Sequence, residues 1–246
     1  MIVDCHAHLW DGRFADNKRE IVTACQRYPI ERVCVSGLGS YTPDSDEIER
    51  LNREVARFMA EEPDLIRGFC SLNPRHPGSL SQLRACVEDR GMVGLKLWVA
   101  TLCDDPLVFP LVEQCIRYDI PLLLHAWHKS VGQLPFETQA IHVAGLSARY
   151  PEARLIMAHL GGNCQHELKV IAPHDNVCAD VSGSLFRNGD LDCAIRWLGS
   201  ERVLFGSDMP GASFLVSWGQ VEDAALAETD KALIYRENAR RVIPGV

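Results

Sequence analysis

Residues 2–8 read Ile-Val-Asp-Cys-His-Ala-His, and residues 121–125 read Pro-Leu-Leu-Leu-His. Each is a short, nearly unbroken apolar run that stops at histidine. A strand buried on both faces reads this way, because neither side of it meets water. Further runs of the same kind lie at 32–36, 66–72, 93–98, 153–158, 177–181 and 203–205. Between the runs lie amphipathic stretches. Ile48, Leu51, Val55, Phe58 and Met59 recur at helical spacing over 46–61, with similar patterns at 79–89, 107–118, 139–150, 191–198 and 230–243. Pro43, Asp44 and Ser45 supply N-terminal signals for the first helix, and Gly78 and Ser79 for the next.

Eight strands alternating with helices, in units of about 30 residues, predict a parallel sheet with right-handed crossovers. The polar residues at the strand ends choose between an open sheet and a closed one. His6, His8, Asn73, Lys96, His125, His159, Ser182 and Asp208 all fall at or just past the C-terminal end of a run. Along an open sheet those ends form a line too long for all of them to converge. Around a closed barrel they encircle one mouth, where such folds carry their active sites. A (β/α)8 barrel needs about 250 residues, and the chain has 246 with no linker, repeat or low-complexity segment. The reading is one (β/α)8 TIM-barrel domain over 1–246.

Composition narrows the partners. The net charge of −8 is spread without basic runs, which excludes the clustered cationic face that a nucleic acid or an anionic membrane requires. Ten cysteines are scattered singly with no CxxC pair, which reads as reduced, buried thiols in a cytoplasmic protein. The N-terminus has no basic segment followed by a long apolar one, and no run of 18 apolar residues occurs. The expected partner is a small-molecule substrate, without nucleic acid or membrane; a homo-oligomer is compatible with the fold.

His6 and His8 stand two apart on an extended chain, so both imidazoles face one side and reach one ion. Imidazole is a common ligand for zinc and other borderline divalent metals. Taken alone, the pair reads equally as an incidental surface feature. By the same token, His125 reads alone as a hydrogen-bonded core residue, and Asp208, in Val-Leu-Phe-Gly-Ser-Asp-Met-Pro, as an Asx turn. His159 ends Leu-Ile-Met-Ala-His and precedes Leu-Gly-Gly, where glycines suit a close backbone approach. Four histidines and an aspartate at one end of four different strands outweigh these separate readings. They predict a site for a divalent metal.

This order of motifs, with Gly-Leu-Lys-Leu at 94–97, Leu-Asn-Pro-Arg at 72–75 and Glu-Asn-Ala-Arg-Arg-Val at 237–242, resembles the amidohydrolase superfamily. More narrowly it is similar to the amidohydrolase-related branch, which also contains decarboxylases of carboxylated aromatic or muconate-type substrates. The resemblance implies that His6, His8, His125 and Asp208 hold one divalent ion, Zn2+ first and Mn2+ second. It places His159 beside the substrate or behind the ligands, as a polarising or proton-shuttling group. Asp208 would also be the base that takes a proton from metal-bound water. Lys96 would contact a substrate anion; carboxylated, it would instead bridge two ions.

Trp10, Trp98 and Trp127 follow strands and read as walls of an apolar pocket or as loop packing. Arg75 reads as a carboxylate clamp and Arg187 as a further substrate contact. His128 reads as near the mouth without a direct role, and His76, His142, His166 and His174 as loop or helix residues. The leading expectation is metal-dependent hydrolysis of a small amide, lactone or ester. The alternatives are metal-dependent non-oxidative decarboxylation and a barrel that binds a ligand without turnover.

Overall fold

The computed structural model describes residues 1–183 and 187–246. Eight strands run parallel and pair in sequence order. They are β1 (Ile2–Trp10), β2 (Ile30–Leu38), β3 (Ile66–Leu72), β4 (Gly94–Leu97), β5 (Leu122–Leu124), β6 (Leu155–Met157), β7 (Val177–Asp180) and β8 (Val203–Leu204). The chain just past β8 bonds to the free edge of β1. Cys5 N donates to Phe205 O at 3.0 Å, Asp208 N to His6 O at 2.7 Å and His8 N to Met209 O at 2.8 Å. The sheet therefore closes on itself, as the (β/α)8 reading requires.

Val3, Cys5, Cys34, Phe69, Leu123, Ile156, Cys178 and Leu204 fill the inside of the barrel. A second apolar layer, which includes Val33, Val35, Leu95, Leu122 and Leu155, packs against the surrounding helices. β1 changes phase partway along. Val3 and Cys5 belong to the inner cluster, whereas Ala7 and Leu9 belong to the outer layer. The pairing with β2 shifts register between Asp4 and Ala7. An extra residue in a strand re-aims every side chain beyond it, and here it brings His6 and His8 to the lumen.

Helices α1 (Phe14–Arg27), α2 (Ser45–Glu61), α3 (Ser79–Arg84), α4 (Phe109–Tyr118), α5 (Ala140–Arg149), α6 (Cys164–Ile171), α7 (Asp190–Leu198) and α8 (Phe214–Asp223) cover the sheet. The Asp44 side chain accepts from Glu47 N at 2.8 Å and caps α2, a contact whose loss typically costs about 1 kcal/mol. The expected helix at 79–89 is α3 continued by a π-helical turn, Ala85–Asp89. The one at 230–243 is divided into α9 (Glu228–Ala232), a π-helical turn (Leu233–Glu237) and α10 (Asn238–Val242).

Other expectations need correction. β1 runs to Trp10, so His6 and His8 lie within the strand rather than after it. α1, α6 and α8 have no counterpart among the expected helices. All ten cysteines are free and nine are buried. No described helix is long and apolar enough to cross a membrane.

Candidate active site

The strand ends surround a cavity of about 370 Å³, within the usual range for small-molecule sites, about 300–1,000 Å³. Its floor carries His8, Lys96, His125, His159 and Asp208, and Trp10, Trp98 and Trp127 wall it.

His6, on β1, is fully buried. Its Nδ1 lies 2.9 Å from Asp180 Oδ2 and 2.9 Å from Ser182 Oγ. An ionised carboxylate only accepts, so His6 carries its proton on Nδ1 and presents the Nε2 lone pair to the lumen. Asp180 stays ionised. Burial opposes its charge, but His6, His159 and Ser182 together outweigh burial and hold the carboxyl well below the usual range. His8 Nδ1 lies 2.9 Å from Ser36 Oγ, which leaves its Nε2 facing inward in the same way. Burial lowers the His8 pKa to about 3, so the ring is neutral at pH 7.

The two Nε2 atoms are 3.0 Å apart, and Asp208 Oδ1 lies 3.1 Å from that of His8 and 3.8 Å from that of His6. Two imidazole nitrogens and a carboxylate oxygen thus converge, a donor set that suits a cation. Ligands held tetrahedrally at about 2.0–2.1 Å stand about 3.3 Å apart, so the trio fits a divalent metal. Lys96 supplies a cation nearby: its buried Nζ is 2.9 Å from His6 Nε2. Burial lowers its pKa to about 8.

His125, expected as the fourth ligand, lines the same cavity. Its Nδ1 faces His159 Nε2 at 3.2 Å and its Nε2 faces Glu137 Oε1 at 3.1 Å. Two donor groups gather here, His6 with His8 and Asp208, which opens to the cavity, and His6 with His159 and Asp180 behind it. His159 adjoins the trio, its ring centroid 5.0 Å from that of His6, and its Nδ1 meets Ser182 Oγ at 3.0 Å. Burial lowers the pKa of both His125 and His159.

The backbone after β6 places that ring. His159 and Leu160 adopt φ of 61° and 47°, followed by Gly161 and Gly162 at 73° and 75°. A Cβ on Gly161 would stand 2.6 Å from Glu167 Cβ, and one on Gly162 2.7 Å from Trp127 Cδ1. Both glycines therefore answer to close packing as well as to left-handed backbone. Asp208 too has a positive φ, 61°, a conformation that costs a non-glycine residue of order 1–3 kcal/mol.

Two expected contacts sit elsewhere. Arg75 is exposed; its Nε donates to Ala100 O at 2.8 Å and its guanidinium lies 4.5 Å from the Phe136 ring centroid. Arg187 is exposed in a separate hollow beside Gln220 and Asp223. Asp180, Glu137 and Ser36 received no role from the sequence. For Asp180 the available signal was an acidic residue closing a buried apolar strand, Val-Cys-Ala-Asp.

Comparison with known proteins agrees with this fold. A gamma-resorcylate decarboxylase of Rhodococcus jostii (strain RHA1) is 26% identical over 249 residues, covering 79% of this chain and 75% of that protein. The 2,6-dihydroxybenzoate decarboxylase from Rhizobium superposes with a TM-score of 0.81 at 20% identity, covering 98% of both chains. A dihydroxybenzoic acid decarboxylase from Polaromonas sp. JS666, with bound manganese and 2-nitroresorcinol, gives 0.78 at 19% identity, covering 98% of this chain and 96% of that one. The family model described as amidohydrolase matches residues 3–245. With the closed barrel and its strand-end histidines, that match over nearly the whole length makes this chain a member of the amidohydrolase family.

Proposed function

We propose that the chain is a metal-dependent, non-oxidative decarboxylase of a small aromatic acid that carries an oxygen beside its carboxylate. The observation that carries this reading is the cavity itself. A buried ammonium, Lys96, and a three-donor cation site lie on the floor beneath three tryptophans. Indole faces accept a planar ring, and a buried cation selects its anionic end. The relatives named above, gamma-resorcylate and dihydroxybenzoate decarboxylases, support the same class.

The reading displaces hydrolysis, the leading expectation from sequence. Hydrolysis assigned Asp208 the role of base. Burial favours its protonated form, but the His8 hydrogen bond and the neighbouring imidazoles outweigh that and hold it well below the usual carboxylate range. Ionised between two imidazoles, it suits a ligand, and the decarboxylase relatives favour decarboxylation over hydrolysis. His6, His8 and Asp208 would hold one divalent ion, Zn2+ or Mn2+; manganese is the metal in the Polaromonas relative. When bound, that ion supplies positive charge for the ionised oxygens of the substrate.

The remaining chemistry belongs to side chains. Lys96 orients the carboxylate and the tryptophans exclude water. As the ring–carboxyl bond breaks, its electron pair stays on the ring carbon, which takes a proton while carbon dioxide leaves. Glu137, His125, His159, Ser182 and Asp180 form a row with four contacts of 3.1, 3.2, 3.0 and 2.5 Å. Both ends are carboxylates, and the three inner groups bring one proton each when neutral. Four contacts with three protons leave room for one more, and the cavity-lining His159 is the residue from which it reaches the ring.

Incubation of the metal-loaded protein with 2,6-dihydroxybenzoate and other ortho-hydroxylated benzoates tests the reading. Carbon dioxide and the decarboxylated phenol should appear in equal amounts, and His159→Asn should abolish both. Turnover of amides or lactones without carbon dioxide release from any acid tested would restore the hydrolase reading.

A further inference from the structure

We infer that His128, His166 and Glu167 form a second binding site for a borderline divalent transition-metal ion, separate from the barrel mouth. His128 lies on the loop after β5, and His166 and Glu167 lie on α6. Both imidazole Nδ1 atoms stand 2.8 Å from one carboxylate oxygen, Glu167 Oε1. The three donor atoms lie within 4.8 Å of one another.

The carboxylate is preorganised. The Glu167 side chain is 2% exposed, and its other oxygen accepts from Ala140 N at 2.7 Å, which leaves Oε1 for the two rings. Among the described residues no lysine or arginine pairs with it. A buried carboxylate whose only side-chain partners are imidazoles is short of positive charge.

Glu167 holds the proton of each ring on Nδ1, and no other partner fixes the tautomer among the described residues. At the mouth the Asp180 carboxylate fixes the proton of His6 in the same way. At His128 and His166 no hydrogen bond reaches Nε2 among the described residues. As hydrogen-bond donors, both rings place an N–H on Oε1. When each ring shifts its proton to Nε2, two lone pairs and a carboxylate oxygen face one point, and a dication binds there without proton release. Nitrogen and oxygen donors of this kind suit Zn2+, Ni2+ or Cu2+.

Space and access agree. Ligands at about 2.0–2.1 Å stand about 3.3 Å apart in a tetrahedron, so each ring must swing outward by about half an ångström. The His166 and His128 side chains are 66% and 31% exposed, which allows that movement and leaves coordination positions to water. His128 follows Trp127, whose ring centroid lies 4.9 Å from that of His159. An ion here ties the loop that carries this cavity wall to α6.

The test does not depend on which reaction the enzyme performs. Protein with its mouth site already loaded is titrated with Ni2+ by calorimetry. Wild type should bind one further ion per chain, and His128→Ala and His166→Ala should each weaken that event by more than about tenfold, the smaller loss typical of an outer-sphere partner. Elemental analysis should find the first ion retained in both variants. Absence of a further event, or one unmoved by either substitution, overturns the site.

Discussion

Asp180 Oδ2 lies 2.9 Å from His6 Nδ1, and this contact decides which nitrogen of His6 is left to hold a cation. Partners behind a ligand typically contribute about 10–100-fold in metal affinity. Asp180→Asn keeps a group that can accept from Nδ1 but removes the charge. Its apparent metal affinity, measured by chelator competition, should fall about tenfold or more, with the circular dichroism spectrum preserved. Unchanged affinity would mean that Ser182 alone orients the ring.

Lys96→Met should raise KM for the acid more than it lowers metal content. A hydrogen bond to a charged group contributes about 1.5–3 kcal/mol, or roughly 10–150-fold. Lys96→Arg should not restore KM, because the planar guanidinium does not fit a buried point-charge position. Steady-state kinetics alongside metal analysis separates the two effects; equal KM values in the Lys96→Met variant and the native enzyme exclude Lys96 as the anion partner.

Glu137→Gln tests the proton row. The Glu137 carboxylate is buried and accepts from Lys129 Nζ at 2.7 Å and Gln133 Nε2 at 3.0 Å while facing His125. Loss of the acidic end should lower kcat on the order of 100-fold, the lower end for acid–base catalysis, with little change in KM. Faster amide exchange over 129–137 without a fall in kcat would limit Glu137 to anchoring the loop.

The thiols give a check on the core. Burial pushes the Cys25 thiol up to about 12 and raises Cys5, Cys34, Cys103 and Cys115 as well; Cys86 alone is lowered, by its hydrogen bond to Cys70. Only thiolates react rapidly with disulfide reagents. Native protein at pH 8 should therefore release far less thiol to Ellman's reagent than the ten groups that respond after unfolding. Rapid reaction of most of them would contradict the packing.

The strands were legible because a strand covered on both faces leaves an apolar run, as in Leu122–Leu124 and Val177–Asp180. Unread helices leave a thinner trace: α1 buries only Asn17 and Ile21, and α8 only Phe214, Ser217 and Val221, too few apolar residues to mark a helical period. Asn17 has a structural reason to be there: its Oδ1 accepts from Trp10 N at 2.8 Å.

The candidate site was legible where strand ends announced it, as at His6, His8, His159 and Asp208. Side chains that act through another residue leave less trace. Glu137 reaches His125 from a loop, and Arg75 turns to a backbone carbonyl rather than the cavity. No spacing rule encodes either choice.

The seam that closes the barrel also governs when the enzyme can exist. His6 and His8 leave the ribosome about 200 residues before Asp208, an interval of about 10–40 s at common rates of synthesis. Until residues 205–209 arrive to bond β1, the nascent chain lacks the third donor. On the proposed ligand set, metal capture is thereby reserved for the finished protein, and a chain cut short before the seam would be built without the means to hold an ion.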